Sequence, residues 1–163
     1  MDRHRLAGTH ETLKALERLE LAVARFYALC AERTANGPEF WVALARQEDG
    51  HAAAVRRMAG ILAERPDRFE PNRAFQVPAI QTFIAYVESL AERLRTGDIA
   101  QTDQHRLLTL ARDLEQSLLE GKWNEIVKTT DAECRALLRG IVTETTEHQA
   151  RIAARLSGTP NGA

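Results

Sequence analysis

Apolar residues recur at alternating steps of three and four along most of this chain, the spacing of one face of an α-helix. Between about residues 10 and 35 the stripe is Leu13, Leu16, Glu20, Val23, Tyr27 and Cys30. From Pro38 to Glu64 it is Trp41, Leu44, Glu48, His51, Val55, Met58 and Leu62. Near residue 110 it is Leu108, Ala111, Glu115 and Leu118, and from about Thr130 to Leu156 it is Cys134, Leu138, Ile141, Thr145, His148, Ile152 and Leu156. The breaks between stripes carry helix punctuation. Thr9 is expected to be the N-cap of the first helix. Asn36-Gly37-Pro38 reads as a glycine C-cap followed by proline at a new helix start. The second helix should stop before Pro66. Residues 65–78 hold three prolines and read as an ordered linker, followed by a shorter helix over about Ala79–Arg95 that Thr96-Gly97-Asp98 ends. A further helix is expected over about Thr102–Gly121, and residues 157–163 as a disordered tail.

No segment shows the alternation of a strand, so the expectation is an all-α protein: four long helices and one short one. Two short connections bracket a long middle one of about 35 residues, which permits two antiparallel hairpins joined by a crossover. The divisions are an N-terminal arm at 1–8, the bundle at 9–156 and the tail at 157–163.

Composition narrows the function. A chain of 163 residues suits one domain. The net charge of −1 suggests neither a nucleic-acid nor an anionic-membrane partner. No apolar run exceeds six residues, too few for a membrane span. The opening MDRHRLAGTHET has no apolar segment and no cleavage site, so a secretory signal is not expected and the chain is read as cytoplasmic. Cys30 and Cys134 form no CxxC pair, which argues against a zinc ribbon or a rubredoxin-type iron site; both read as small buried residues in a reducing compartment.

The polar residues on the stripes carry the chemistry. Each long helix has one or two near its middle: Glu20 in the first, Glu48 and His51 in the second, Glu115 in the next, Thr145 and His148 in the last. Burying an isolated carboxylate costs several kcal/mol even after relaxation, so three carboxylates and two imidazoles meeting in one core need a reason. A divalent or trivalent metal ion supplies one, because carboxylate oxygen and imidazole nitrogen are its ligands, and Glu and His three apart on a helix can grip the same ion. The bland alternatives are a hydrogen-bonded Glu48–His51 pair inside the bundle, a surface pair of Glu115 with Arg112, and a packed core position for Tyr27. An internal echo adds weight. LKALERLELAV beside LLTLARDLEQSLL pairs Glu20 with Glu115, and ALARQEDGHAAAV beside GIVTETTEHQARI pairs His51 with His148, as if two similar hairpins offered matching half-sites.

On these residues the chain resembles the ferritin-like superfamily, and within it the rubrerythrin-like proteins. Their motif is a Glu on helix one, Glu-x-x-His on helix two, a Glu on helix three and Glu-x-x-His on helix four. Glu20 with Phe26-Tyr27 looks like the first, Glu48-Asp49-Gly50-His51 the second and Glu115 the third. The resemblance covers about residues 9–156 and implies a ferritin-like four-helix bundle with a long crossover containing a short extra helix. It further implies a carboxylate-bridged di-iron centre with peroxide or dioxygen chemistry and a homodimeric assembly. Glu20 and Glu115 would be terminal ligands, Glu48 a bridge, and His51 and His148 one nitrogen ligand for each ion. The chain departs from the motif at Thr145, where the fourth carboxylate should stand, and Glu144, four residues before His148, is the candidate substitute ligand. Two ferrous ions with three carboxylates would leave a net charge of about +1 where the full motif reaches zero. The cofactor implied is therefore iron, as two ions or as one if the site is degenerate, with manganese and zinc as alternative occupants. Without rubredoxin-type cysteines, redox turnover would need an external electron donor. The alternative is a non-enzymatic bundle that kept the scaffold, lost the full site and acts as an interaction or structural protein.

Overall fold

The computed structural model describes residues 6–35, 37–71, 77–97, 99, 103–121 and 126–158. Five long α-helices account for most of them: α1 (Ala7–Arg33), α2 (Pro38–Glu64), α3 (Val77–Thr96), α4 (Gln104–Glu120) and α5 (Ala132–Gly158), with a 3₁₀ turn at Pro66–Arg68. The protein is all-α. Among the described residues no strand forms, and Phe69 and Thr129 make one isolated antiparallel bridge. No helix among them is long and apolar enough to cross a membrane.

The helix ends follow local chemistry. Gly37 sits at φ +71° before α2, a left-handed conformation that favours glycine, and Pro38 takes the first helical position, where its missing N–H is not needed. A Cβ on Gly37 would also run into the Arg155 guanidinium at the end of α5. Asp103 caps α4 by accepting from the Arg106 N–H at 3.0 Å. Asp131 does the same for α5, accepting from the Cys134 N–H at 3.0 Å, while its other oxygen takes a 2.6 Å bond from Arg65. That pair ties the end of α2 to the start of α5.

Three expected boundaries differ, one being the start of α3 at Val77 instead of about Ala79. Helix α1 starts at Ala7, with Leu6 in the cap position and no side-chain cap. Thr9 lies inside the first turn, fully buried, so packing rather than capping places it. Helix α5 continues through Ser157 and Gly158, beyond the expected end at Leu156, and the Ser157 hydroxyl donates back to the Ala153 carbonyl at 3.0 Å. Residues 159–163, His4 and Trp123 lie outside the described residues.

Helices α1 and α2 form one hairpin and α4 and α5 the other, with α2 against α5 joining them and α3 packed on α1. Helix α1 is therefore covered on two sides. Besides the stripe read from the sequence it buries Thr12, Ala15, Leu19, Ala22 and Phe26, again at steps of three and four. The buried face of α3 is Ile80, Ile84, Val87, Leu90, Ala91 and Leu94. Phe26 is fully buried, and Phe26→Ala should cost about 3–5 kcal/mol of stability, measured as a lower urea midpoint at unchanged slope. Arg56 and Arg57 are exposed but engaged: Arg56 bonds Glu17 on α1 at 2.7 Å and Arg57 bonds Glu133 on α5 at 2.8 Å.

Candidate metal centre

The stripes put the polar residues of four helices at one level of the interior. Glu20 on α1, Glu48 and His51 on α2, Glu115 on α4 and His148 on α5 are all buried, with Glu48, Glu115 and His148 at zero exposure. Burial sets Glu115 apart from a surface partner of Arg112, whose guanidinium bonds Asp113 instead.

Their ligand atoms fall into two groups, Glu20–Glu48–His51 and Glu48–Glu115–His148, each with one atom per residue inside 4.8 Å of the others. Glu48 belongs to both. One of its oxygens, Oε2, lies 3.1 Å from His51 Nδ1, and the other, Oε1, lies 2.8 Å from His148 Nδ1. Glu20 Oε2 is 3.8 Å from His51 Nδ1, and Glu115 Oε1 is 3.6 Å from His148 Nδ1. The two imidazoles stack with centroids 5.5 Å apart and planes at 23°. Each hairpin thus contributes one unshared carboxylate and a histidine, and Glu48 belongs to both halves.

Hydrogen bonding satisfies this cluster incompletely. Among the described residues Glu20 Oε2, Glu48 Oε1, Glu115 Oε2 and both ring nitrogens of His148 are buried without a hydrogen-bond partner. The 2.8 Å contact between Glu48 and His148 lacks the alignment of an N–H···O bond. Orphaned buried polar atoms are rare and costly, about 1–3 kcal/mol each. Atoms of one carboxylate–imidazole set that crowd together without bonding fit a shared cation: two ligands each about 2.0–2.2 Å from an ion can stand up to about 4.4 Å apart. Each of the two groups could thus hold a metal ion, with Glu48 common to both.

The electrostatics reflect the same crowding. Burial pushes Glu20 up to about 8 against the pull of His51. Burial also raises Glu48, but contacts with His148 and His51 outweigh it and bring that group down to about 2. Burial lowers the two imidazoles, yet the facing carboxylates prevail, taking His51 up to about 11 through Glu20 and Glu48, and His148 to about 9 through Glu115 and Glu48. Glu115 is raised, chiefly by burial.

Tyr27 is fully buried beside the cluster and donates its hydroxyl to Glu115 Oε1 at 2.5 Å. Its ring also packs 5.9 Å from that of Trp41, so it is at once a core residue and a hydrogen-bond donor to the site. Burial, then the Glu115 charge, holds its phenol well above the usual range. Tyr27→Phe leaves that Glu115 oxygen without its donor and should cost about 1–3 kcal/mol in the metal-free protein, read from urea denaturation.

Two residues of the last helix stand near the cluster in different ways. Thr145 is buried at the level of the cluster, but its hydroxyl donates to the Ile141 carbonyl at 2.8 Å, within its own helix. Glu144, the candidate substitute ligand, joins neither group of ligand atoms. Its Oε2 lies 3.0 Å from His51 Nε2, the ring nitrogen facing away from Glu48, and its side chain is half-exposed. Rotation by one residue around the helix takes Glu144 to the rim, where it reaches the outer edge of the imidazole instead of the interior. Glu147 is exposed, and His10 and His105 take no part in the cluster.

Comparison with family models, with curated proteins and with solved structures returns no match to this chain, so the chemistry of the site is read from its own residues.

Proposed function

We propose that this protein is a metal-binding helical bundle of ferritin-like type, in which Glu20, Glu48 and His51 hold one transition-metal ion and Glu48, Glu115 and His148 a second. The single observation that carries the reading is Glu48, which directs one oxygen to each histidine Nδ1 at 3.1 and 2.8 Å, in the manner of a bridging carboxylate. The donor set of carboxylate oxygens with one imidazole per ion suits iron, with manganese and zinc as competitors. An iron pair, when bound, would supply electrons for reducing peroxide or dioxygen, which zinc, having no redox chemistry, would not. The chain's own contribution is to position and to shield: Glu20 and Glu115 close the two ends, Tyr27 fixes Glu115, and the apolar stripes exclude water. The two cysteines, Cys30 and Cys134, are separate buried thiols, so electrons for turnover would have to reach the site from outside this bundle.

Thr145 favours a second reading, a bundle that keeps the scaffold without metal and acts through its surface. Protons shared between the carboxylates and imidazoles would then hold the cluster together. Metal analysis after iron-supplemented expression separates the two. The proposal expects about two ions per chain, and a melting temperature that rises when ferrous or manganous ion is added to the metal-free protein. No metal and an unchanged melting temperature would establish the second reading.

A further inference from the structure

The two half-sites have the same ligand types but different surroundings. His51 has a partner on each ring nitrogen, Glu48 at Nδ1 and Glu144 at Nε2. His148 Nε2, in contrast, is buried with no hydrogen-bond partner among the described residues. The residue that the internal echo pairs with Glu144 is Gln47, an uncharged amide, so the two half-sites are not symmetric.

Resting on the two-ion reading, we infer that Glu144 is a positioning residue for His51, and that it makes the Glu20–Glu48–His51 half-site the tighter one, so that the two ions bind in order. A carboxylate at Nε2 keeps the proton on that nitrogen, which leaves the Nδ1 lone pair for the ion and fixes the ring plane. This bond is compatible with both states: when metal displaces a proton from Nδ1, the Nε2–H···Oε2 bond persists. Glu144 also stands half-exposed at the rim, so an incoming cation meets a negative charge one imidazole away from the interior. The other half-site has neither aid. Gln47 on α2, the echo of Glu144, accepts from Arg151 at 2.8 Å, and neither ring nitrogen of His148 has a hydrogen-bond partner among the described residues.

Calorimetric titration of metal-free protein with manganous ion, repeated with cobaltous ion, tests the inference. Wild type should show two steps. Glu144→Ala should weaken the tighter step about 10–100-fold and leave the weaker step in place. Glu144→Gln, which retains a hydrogen-bond acceptor without the charge, should recover part of the loss. Glu144→Ala leaves the buried His51 Nε2 without its partner and should lower the melting temperature of the metal-free protein, whereas Glu144→Gln should melt like wild type and still bind the tighter ion more weakly, which a merely structural role would not produce. Two equal steps in wild type, or an unchanged tighter step in Glu144→Ala, would overturn the inference while the two-ion reading stands. No binding by wild type at all would overturn both.

Discussion

Glu48→Ala should empty both half-sites at once. Glu48 is the residue shared by the two groups of ligand atoms, so its removal leaves Glu20 with His51 on one side and Glu115 with His148 on the other, two protein ligands each. Structural and catalytic metal sites alike need about three or four protein ligands, and two seldom retain an ion against buffer. Metal content should fall from about two ions per chain to near zero, whereas Glu20→Ala or His148→Ala should retain about one. Glu48→Gln is the companion variant. It keeps the side-chain volume, and its amide leaves a poor ligand next to two imidazoles, so it too should lose both ions while the bundle stays folded by circular dichroism. If the Glu48 variants retained one ion, the sharing of that residue would be refuted.

Metal affinity should rise steeply with pH. Ligands must give up their protons to bind, so any group that holds a proton in the metal-free protein competes with the ion. Glu20 is raised to about 8, His148 to about 9 and His51 to about 11, so at neutral pH each carries a proton that the ion must displace. Glu48, lowered to about 2, is already ionised and offers no competition above acid pH. The sign follows: affinity increases as pH rises towards the raised values, by about tenfold per pH unit for each proton released. Between pH 6 and pH 8 the association constant should increase by about 100-fold or more, and calorimetry in buffers of different ionisation enthalpy should register proton release. A flat profile over that range would mean that the ions bind somewhere other than this cluster.

Much of this arrangement could be read before any coordinates. Glu20, Glu48, His51, Glu115 and His148 stand out because each interrupts an apolar stripe whose other members are buried, and a stripe with a three–four step has only one way to face. A shared role for Glu48 is implied only by the resemblance to the ferritin-like motif; spacing alone places it on the same helix face as His51. Other features depend on contacts that periodicity does not encode. The second buried stripe of α1, with Leu19 and Phe26, exists because α3 returns against it, and tracing a single face misses a helix covered on two. The place of Glu144 depends on a rotation of about 100° from Thr145 and on which way the His51 ring is turned, neither of which spacing conveys. Thr9 resembles a cap in composition, but tertiary burial decides its role.

The central claim is that acidic and imidazole groups from two helical hairpins hold a pair of ions on either side of one carboxylate. Anomalous diffraction from crystals grown with ferrous or manganous ion, collected across the absorption edge of that metal, tests it most directly. Two peaks flanking Glu48, one within bonding distance of Glu20 and His51 and the other of Glu115 and His148, are the predicted result. Density for metal only at the surface, or none between the helices at saturating metal, would contradict it.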